Sequence, residues 1–154
     1  MIVTRNKTTQ ITKNFDESEI FSKDPRFKGN SHYIDDKLID VLQLIIDYYT
    51  QKEYDAHIIV TSTYRTLLSD QQLAPDVKYH PHSEGIAIDW KFTSEELNNI
   101  LQKDLSDKGY VWNLIRKAGI NGIGNEGFCF HFDTRMTHTF HDDEFGKYAT
   151  WVKF

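Results

Sequence analysis

His82 and Asp89 stand seven residues apart in the run His82-Ser83-Glu84-Gly85-Ile86-Ala87-Ile88-Asp89-Trp90, and another histidine follows much later in Phe130-His131-Phe132-Asp133. Imidazole nitrogen and carboxylate oxygen are both good zinc ligands, and a catalytic zinc keeps three protein ligands so that water can take the fourth position. His82, Asp89 and His131 are therefore candidate ligands for a zinc ion. Their surroundings suggest how they are held. Gly85 permits a tight turn after His82. From Ile86 to Trp90 the residues alternate as in a strand, with Ile86, Ile88 and Trp90 on one face and Ala87 and Asp89 on the other. The small Ala87 leaves space beside Asp89. By the same period of two, His131 and Asp133 share one face of a strand predicted over 128–135, with Phe130 and Phe132 opposite. Two adjacent strands of this kind would present the ligands to one cavity.

The elements around them predict an α+β fold: a small single domain over 1–154, with a central antiparallel sheet carrying the zinc ligands and helices packed around it. Leu38, Val41, Leu42, Ile45, Ile46 and Tyr49 recur at helical spacing and predict a helix over 34–50, with Asp35 and Asp36 where the helix dipole favours anions. A strand is expected over 57–62. Thr93-Ser94-Glu95-Glu96 reads as a capping box opening a helix that carries Leu97, Ile100 and Leu101. Another helix is expected over 108–118, ended by Gly119, and Asn121-Gly122 marks the turn into the last strands. The stretch 69–81 reads as a long loop leading into the site. Arg65 falls just past a predicted strand end, where its guanidinium could bind a carboxylate through two parallel hydrogen bonds or serve in a fold-stabilising ion pair.

Composition sets further bounds. With 154 residues, 39% hydrophobic and 14% aromatic, the chain can bury a core. A net charge of −5 offers no footprint for nucleic acid or an anionic membrane. No apolar run approaches the ~20 residues needed to span a bilayer, and the first residues do not read as a secretory signal. Synthesis in the cytoplasm, as a monomer without stable membrane association, is the expectation. The single Cys129 excludes an internal disulfide and a cysteine-based zinc site, and reads as a buried strand residue.

The string His-x-x-Gly-x-Ala-x-Asp at 82–89 resembles the first metal motif of the zinc D-Ala-D-Ala carboxypeptidase and L-alanyl-D-glutamate endopeptidase family, which includes short phage-encoded cell-wall peptidases. Three other segments resemble that family in the same order: Ile11-Thr12-Lys13-Asn14-Phe15 with Glu17-Ser18-Glu19, then Thr61-Ser62-Thr63-Tyr64-Arg65, then Gly122-Ile123-Gly124 followed by His131-Phe132-Asp133-Thr134-Arg135. The resemblance covers about 11–135. It implies a zinc-dependent peptidase acting on peptidoglycan stem peptides, with Arg65 beside the zinc engaging the substrate's carbonyl or carboxylate. It also implies a phage or prophage origin, with action on the cell wall after release or from the virion.

One position departs from the pattern. Carboxypeptidase members carry an acid three residues before the last histidine, and here that residue is Phe128. Glu126 is the candidate general base, with Glu84 behind it, and Asp133 is assigned to orienting a ligand imidazole. The departure sustains an alternative, a catalytically impaired zinc-containing peptidoglycan-binding or virion protein. His80, two before His82, could chelate through a His-x-His strand arrangement, but reads more readily as a residue lining the cleft or bonded near the site. Arg135, His138, His141 and the acidic run Asp142-Asp143-Glu144 read as structural or surface residues.

Overall fold

The computed structural model of the chain describes residues 1–75, 80–125, 127, 129–136 and 149–151. Among these residues seven strands, numbered in chain order, form two sheets. β1 (Ile2–Thr4) and β2 (Ser31–Tyr33) pair antiparallel in a small sheet. The main sheet contains β3 (Ile58–Ser62), β4 (Ala87–Phe92), β5 (Gly122–Asn125), β6 (Phe130–Asp133) and β7 (Ala149–Trp151), in the order β3-β4-β6-β5-β7. The first four pair antiparallel, as expected; β7 joins the edge parallel to β5.

The helices follow from their sequences. α1 (Glu17–Ile20) is a single turn closed by a capping box between Asp16 and Glu19. α2 (Asp36–Gln51) starts after Asp35, whose carboxylate accepts from the Lys37 N–H at 3.1 Å, and buries Leu38, Ile39, Val41, Leu42, Ile45, Ile46 and Tyr49. Each such fully buried aliphatic side chain contributes roughly 1.5–3 kcal/mol. α4 (Glu95–Ser106) is capped by Ser94, which accepts from Leu97 N–H at 3.3 Å. With Ser94 as the cap, the third helical residue is Leu97, so the expected box with a returning carboxylate does not form. α5 (Tyr110–Lys117) ends before Gly119, at φ +96°.

α3 (Leu67–Leu73) corrects the expectation of a loop from residue 69. This helix is built inside out: Ser69 and Asp70 are buried, while Leu67, Leu68 and Leu73 are exposed. Its apolar spacing therefore gives no inward stripe to read. Polar contacts hold its start. Asp24 accepts from the Thr66 N–H at 2.8 Å and from Ser69 Oγ at 3.0 Å.

One core lies on a single face of the main sheet. Val60, Ile88, Trp90, Ile123, Phe130 and Phe132 meet the buried sides of α2, α4 and α5 there. Trp90 packs 5.3 Å from Phe130 and 5.2 Å from Phe132, ring centre to ring centre, and its indole N–H has no partner among the described residues. Alternation then turns Ala87, Asp89, His131 and Asp133 to the other face. No helix among the described residues is long and apolar enough to cross a membrane.

Candidate metal centre

The antiparallel register of β4 and β6 sets Asp89 directly opposite His131 and Ala87 opposite Asp133. Directly opposed residues hold their Cβ atoms ~4.5–5.5 Å apart, within reach of one shared ligand. On the far side of β6, Gly122 opposes Asp133, and a Cβ at Gly122 would overlap the Asp133 carboxylate. Glycine on β5 thus leaves the space that the buried acid fills.

His82 arrives from a turn. The Ser83 N–H donates to His80 C=O at 3.0 Å, and Gly85 N–H to His82 C=O at 3.1 Å. Gly85 adopts φ +72° and lies against the Tyr33 backbone, so a side chain there would be strained and would overlap the Tyr33 carbonyl. Its own carbonyl accepts from Asp35 N–H at 2.8 Å, fastening the turn to the start of α2.

Three potential ligand atoms converge. His82 Nε2 lies 3.1 Å from Asp89 Oδ1 and 3.2 Å from His131 Nδ1, and His131 Nδ1 lies 2.8 Å from Asp89 Oδ1. All three residues are buried. Among the described residues they form the one group of three or more side chains able to hold a metal ion. Tetrahedral coordination at ~2.1 Å implies ligand separations of about 3.4 Å, so a metal ion entering this triangle would need to open it only slightly.

The outer nitrogens of the rings assign the tautomers. His82 Nδ1 lies 2.5 Å from the Thr63 carbonyl, which can only accept, so Nδ1 carries the proton and Nε2 offers its lone pair. His131 Nε2 faces Asp133 Oδ2 at 3.1 Å and donates to it, leaving Nδ1 as the inward lone pair. In the neutral rings two imidazole lone pairs and a carboxylate oxygen would then point at one another, an arrangement relieved either by protons on the inward nitrogens or by a shared cation that displaces them. This donor set suits zinc and equally non-haem iron, so it fits a metal ion without naming it.

Charges behind the ligands are arranged in series. Arg135 grips Asp133 through Nε at 2.7 Å and through its terminal nitrogen, and Asp133 is wholly buried. Burial pushes the Asp133 carboxyl up, but the bonds from Arg135 and then His131 outweigh it and hold it well below the carboxylate range. For Asp89, burial is likewise outweighed, here by the charge of His82 and the hydrogen bonds of both rings, and its carboxyl is also held far down. Burial draws His131 down, while hydrogen bonds to Asp133 and Asp89 raise it to about 9.

Arg65 lies beside the triangle. Its terminal nitrogen is 3.3 Å from Asp89 Oδ2, the oxygen turned away from the histidines, and its Nε is 2.8 Å from Asp70 Oδ1, off the N–H axis. Asp70 also accepts from the Ser83 N–H at 3.1 Å, so one buried acid ties Arg65 to the turn that carries His82. Asp70 and the Thr63 carbonyl were not foreseen from sequence. Asp70 sits on the inverted helix α3, and a backbone carbonyl has no residue-type signature.

Other expectations resolve unevenly. Asp133 meets His131, and both its oxygens are engaged, which leaves it no capacity as a base. Arg135 is buried in that pairing. His80 lies on the turn and outside the three-residue group, which overturns a His-x-His strand arrangement. Glu84 is exposed on the same turn. Cys129 is buried just ahead of β6 rather than within it. Glu126, Phe128, His138, His141 and the run 142–144 lie outside the described residues. No family model, curated protein or solved structure matches this chain.

Proposed function

We infer that the chain is a zinc-dependent peptidase acting on peptidoglycan stem peptides. The observation that carries this reading is the convergence of His82 Nε2, His131 Nδ1 and Asp89 Oδ1, with both ring protons committed outward to Thr63 and Asp133. The four-segment resemblance supplies the substrate class. A zinc ion held there would contribute Lewis acidity, lowering the pKa of water toward ~7 and polarising a peptide carbonyl. His82, Asp89 and His131 would hold it, and Asp133 with Arg135 would keep the His131 ring in its tautomer. Arg65, fixed between Asp70 and Asp89, would orient the substrate carbonyl and stabilise its developing negative charge. Glu126 is the candidate for accepting the water proton and returning it to the leaving amine.

A second reading draws on Phe128, which stands where the carboxypeptidases carry their acid: a metal-holding protein that binds peptidoglycan or belongs to a virion, without turnover. Mass spectrometry of stem peptides after incubation with zinc-loaded protein separates the two. The peptidase reading predicts new fragments, absent with His82→Ala, whose masses identify the cleaved bond. Unchanged peptides beside a protein holding one zinc would favour the binding reading.

A further inference from the structure

The segment 22–26, the outer edge of β3 and α3 surround a cleft of about 590 Å³ whose lining includes Lys23, Arg26, Thr61, Arg65 and Leu73. This lies within the roughly 300–1,000 Å³ of ligand pockets. Three of those side chains are cationic in a chain of net charge −5. Arg65 is committed to Asp70 and Asp89. Lys23 and Arg26 take part in no ion pair among the described residues, and Glu19 acts on Lys23 only as a longer-range charge.

Asp24, the acid in the cleft wall, is occupied by other donors. Its Oδ1 accepts from Arg26 N–H at 2.9 Å and Ser69 Oγ at 3.0 Å, and its Oδ2 from Thr66 N–H at 2.8 Å and Thr66 Oγ1 at 3.0 Å. Each cationic head makes one side-chain hydrogen bond: Lys23 Nζ donates to the Val60 carbonyl, and Arg26 reaches Ser69 Oγ at 3.4 Å. An ammonium has three donors and a guanidinium five, so each keeps donors to spare. Beside them the Thr61 hydroxyl, at the irregularity between Val60 and Ser62 in β3, is buried without a hydrogen-bond partner among the described residues.

We propose that this cleft is a subsite for a carboxylate of the peptide substrate, with Lys23 and Arg26 as its specificity-determining cations. The inference rests on the peptidase reading for its choice of ligand, because Arg65 both lines the cleft and touches the metal-facing carboxylate of Asp89. Charge-assisted bonds from lysine and arginine in a recess are stronger than neutral ones, and Leu73 supplies an apolar wall for aliphatic parts of the chain.

Calorimetric titration of the zinc-loaded protein with a stem pentapeptide, and with the same peptide carrying carboxamides in place of its carboxylates, tests this. Wild type should bind the acid form roughly tenfold more tightly than the amide form. Arg26→Gln and Lys23→Gln should each remove most of that preference with zinc content unchanged, and Arg26→Lys should retain it. Should Lys23→Gln fail to fold for want of its bond to Val60, Arg26→Gln carries the test from an exposed side chain. Equal binding of both peptides by wild type, binding of neither, or a preference that survives Arg26→Gln would overturn the subsite. Cleavage is scored separately: acid-selective binding through these cations without any cleavage overturns the peptidase reading and leaves the subsite standing.

Discussion

The two histidines of the centre are held by opposite means. His131 is carried on a strand, placed opposite Asp89 by the β4–β6 register and backed by the Asp133 carboxylate and the Arg135 guanidinium, all buried. His82 is carried on a turn, backed by the Thr63 carbonyl and steadied through Gly85 and the Asp70–Ser83 bond. The strand half depends on compensated charge, and the turn half on backbone shape. Damage to the first should therefore be electrostatic and severe; damage to the second should be conformational and milder.

Asp133→Asn is the strongest probe of the strand half. Withdrawing one partner of a buried ion pair costs about 3–5 kcal/mol, and losing the acid behind a metal-ligating imidazole typically costs 10–100-fold in metal affinity. Urea denaturation and zinc competition titrations should register both. A variant as stable as wild type would remove the distinction between the halves.

The next effect is pH-dependent and is read on zinc-free protein. His131 is raised to about 9 from an ordinary value of 6.5. A raised histidine contributes stability that is fully present below ~6.5 and is lost as pH climbs through ~9, here on the order of 3 kcal/mol. The depressed carboxyls of Asp89 and Asp133 act in the opposite sense, adding stability above ~3.8 that is lost as pH falls. Zinc held at this centre would compete with the His131 proton, so the rise in melting temperature on adding zinc should be larger at pH 9 than at pH 6. A zinc-free protein that grows more stable between those values would contradict the assignment.

Gly85→Ala tests the turn half. The left-handed backbone costs about 1–2 kcal/mol for an alanine, and the overlap with Tyr33 adds to it. Thermal melting should fall, and zinc affinity should fall with it as His82 shifts. Asp70→Asn is the mildest change, since the amide oxygen can still accept from Ser83 while the charge facing Arg65 is lost. Zinc affinity should change by no more than roughly threefold, well short of the loss at Asp133, whereas on the peptidase reading peptide turnover should drop as Arg65 loosens. Equal losses of zinc in the Asp70 and Asp133 variants would erase the contrast.

The same division governs what could be read from the sequence. Period-two alternation placed Asp89 and His131 on the face opposite Trp90, Phe130 and Phe132, and helical spacing found α2, because burial on one face leaves a regular trace, while a capping signal and Gly119 marked α4 and α5. The turn half leaves no such trace. α3 buries Ser69 and Asp70 and exposes its leucines, α1 is a single capped turn, and the support for His82 comes from a carbonyl nineteen residues away in sequence. The parallel addition of β7 to β5 is equally silent, since three residues are too few for a pattern to emerge.

The most direct test of the metal centre is X-ray absorption spectroscopy on the zinc-loaded protein. The centre should show one zinc with nitrogen and oxygen neighbours at about 2.0–2.1 Å, two of them imidazoles, and no sulfur. A zinc–sulfur distance near ~2.3 Å, which only Cys129 or a methionine could supply, or failure to retain zinc at all, would contradict it.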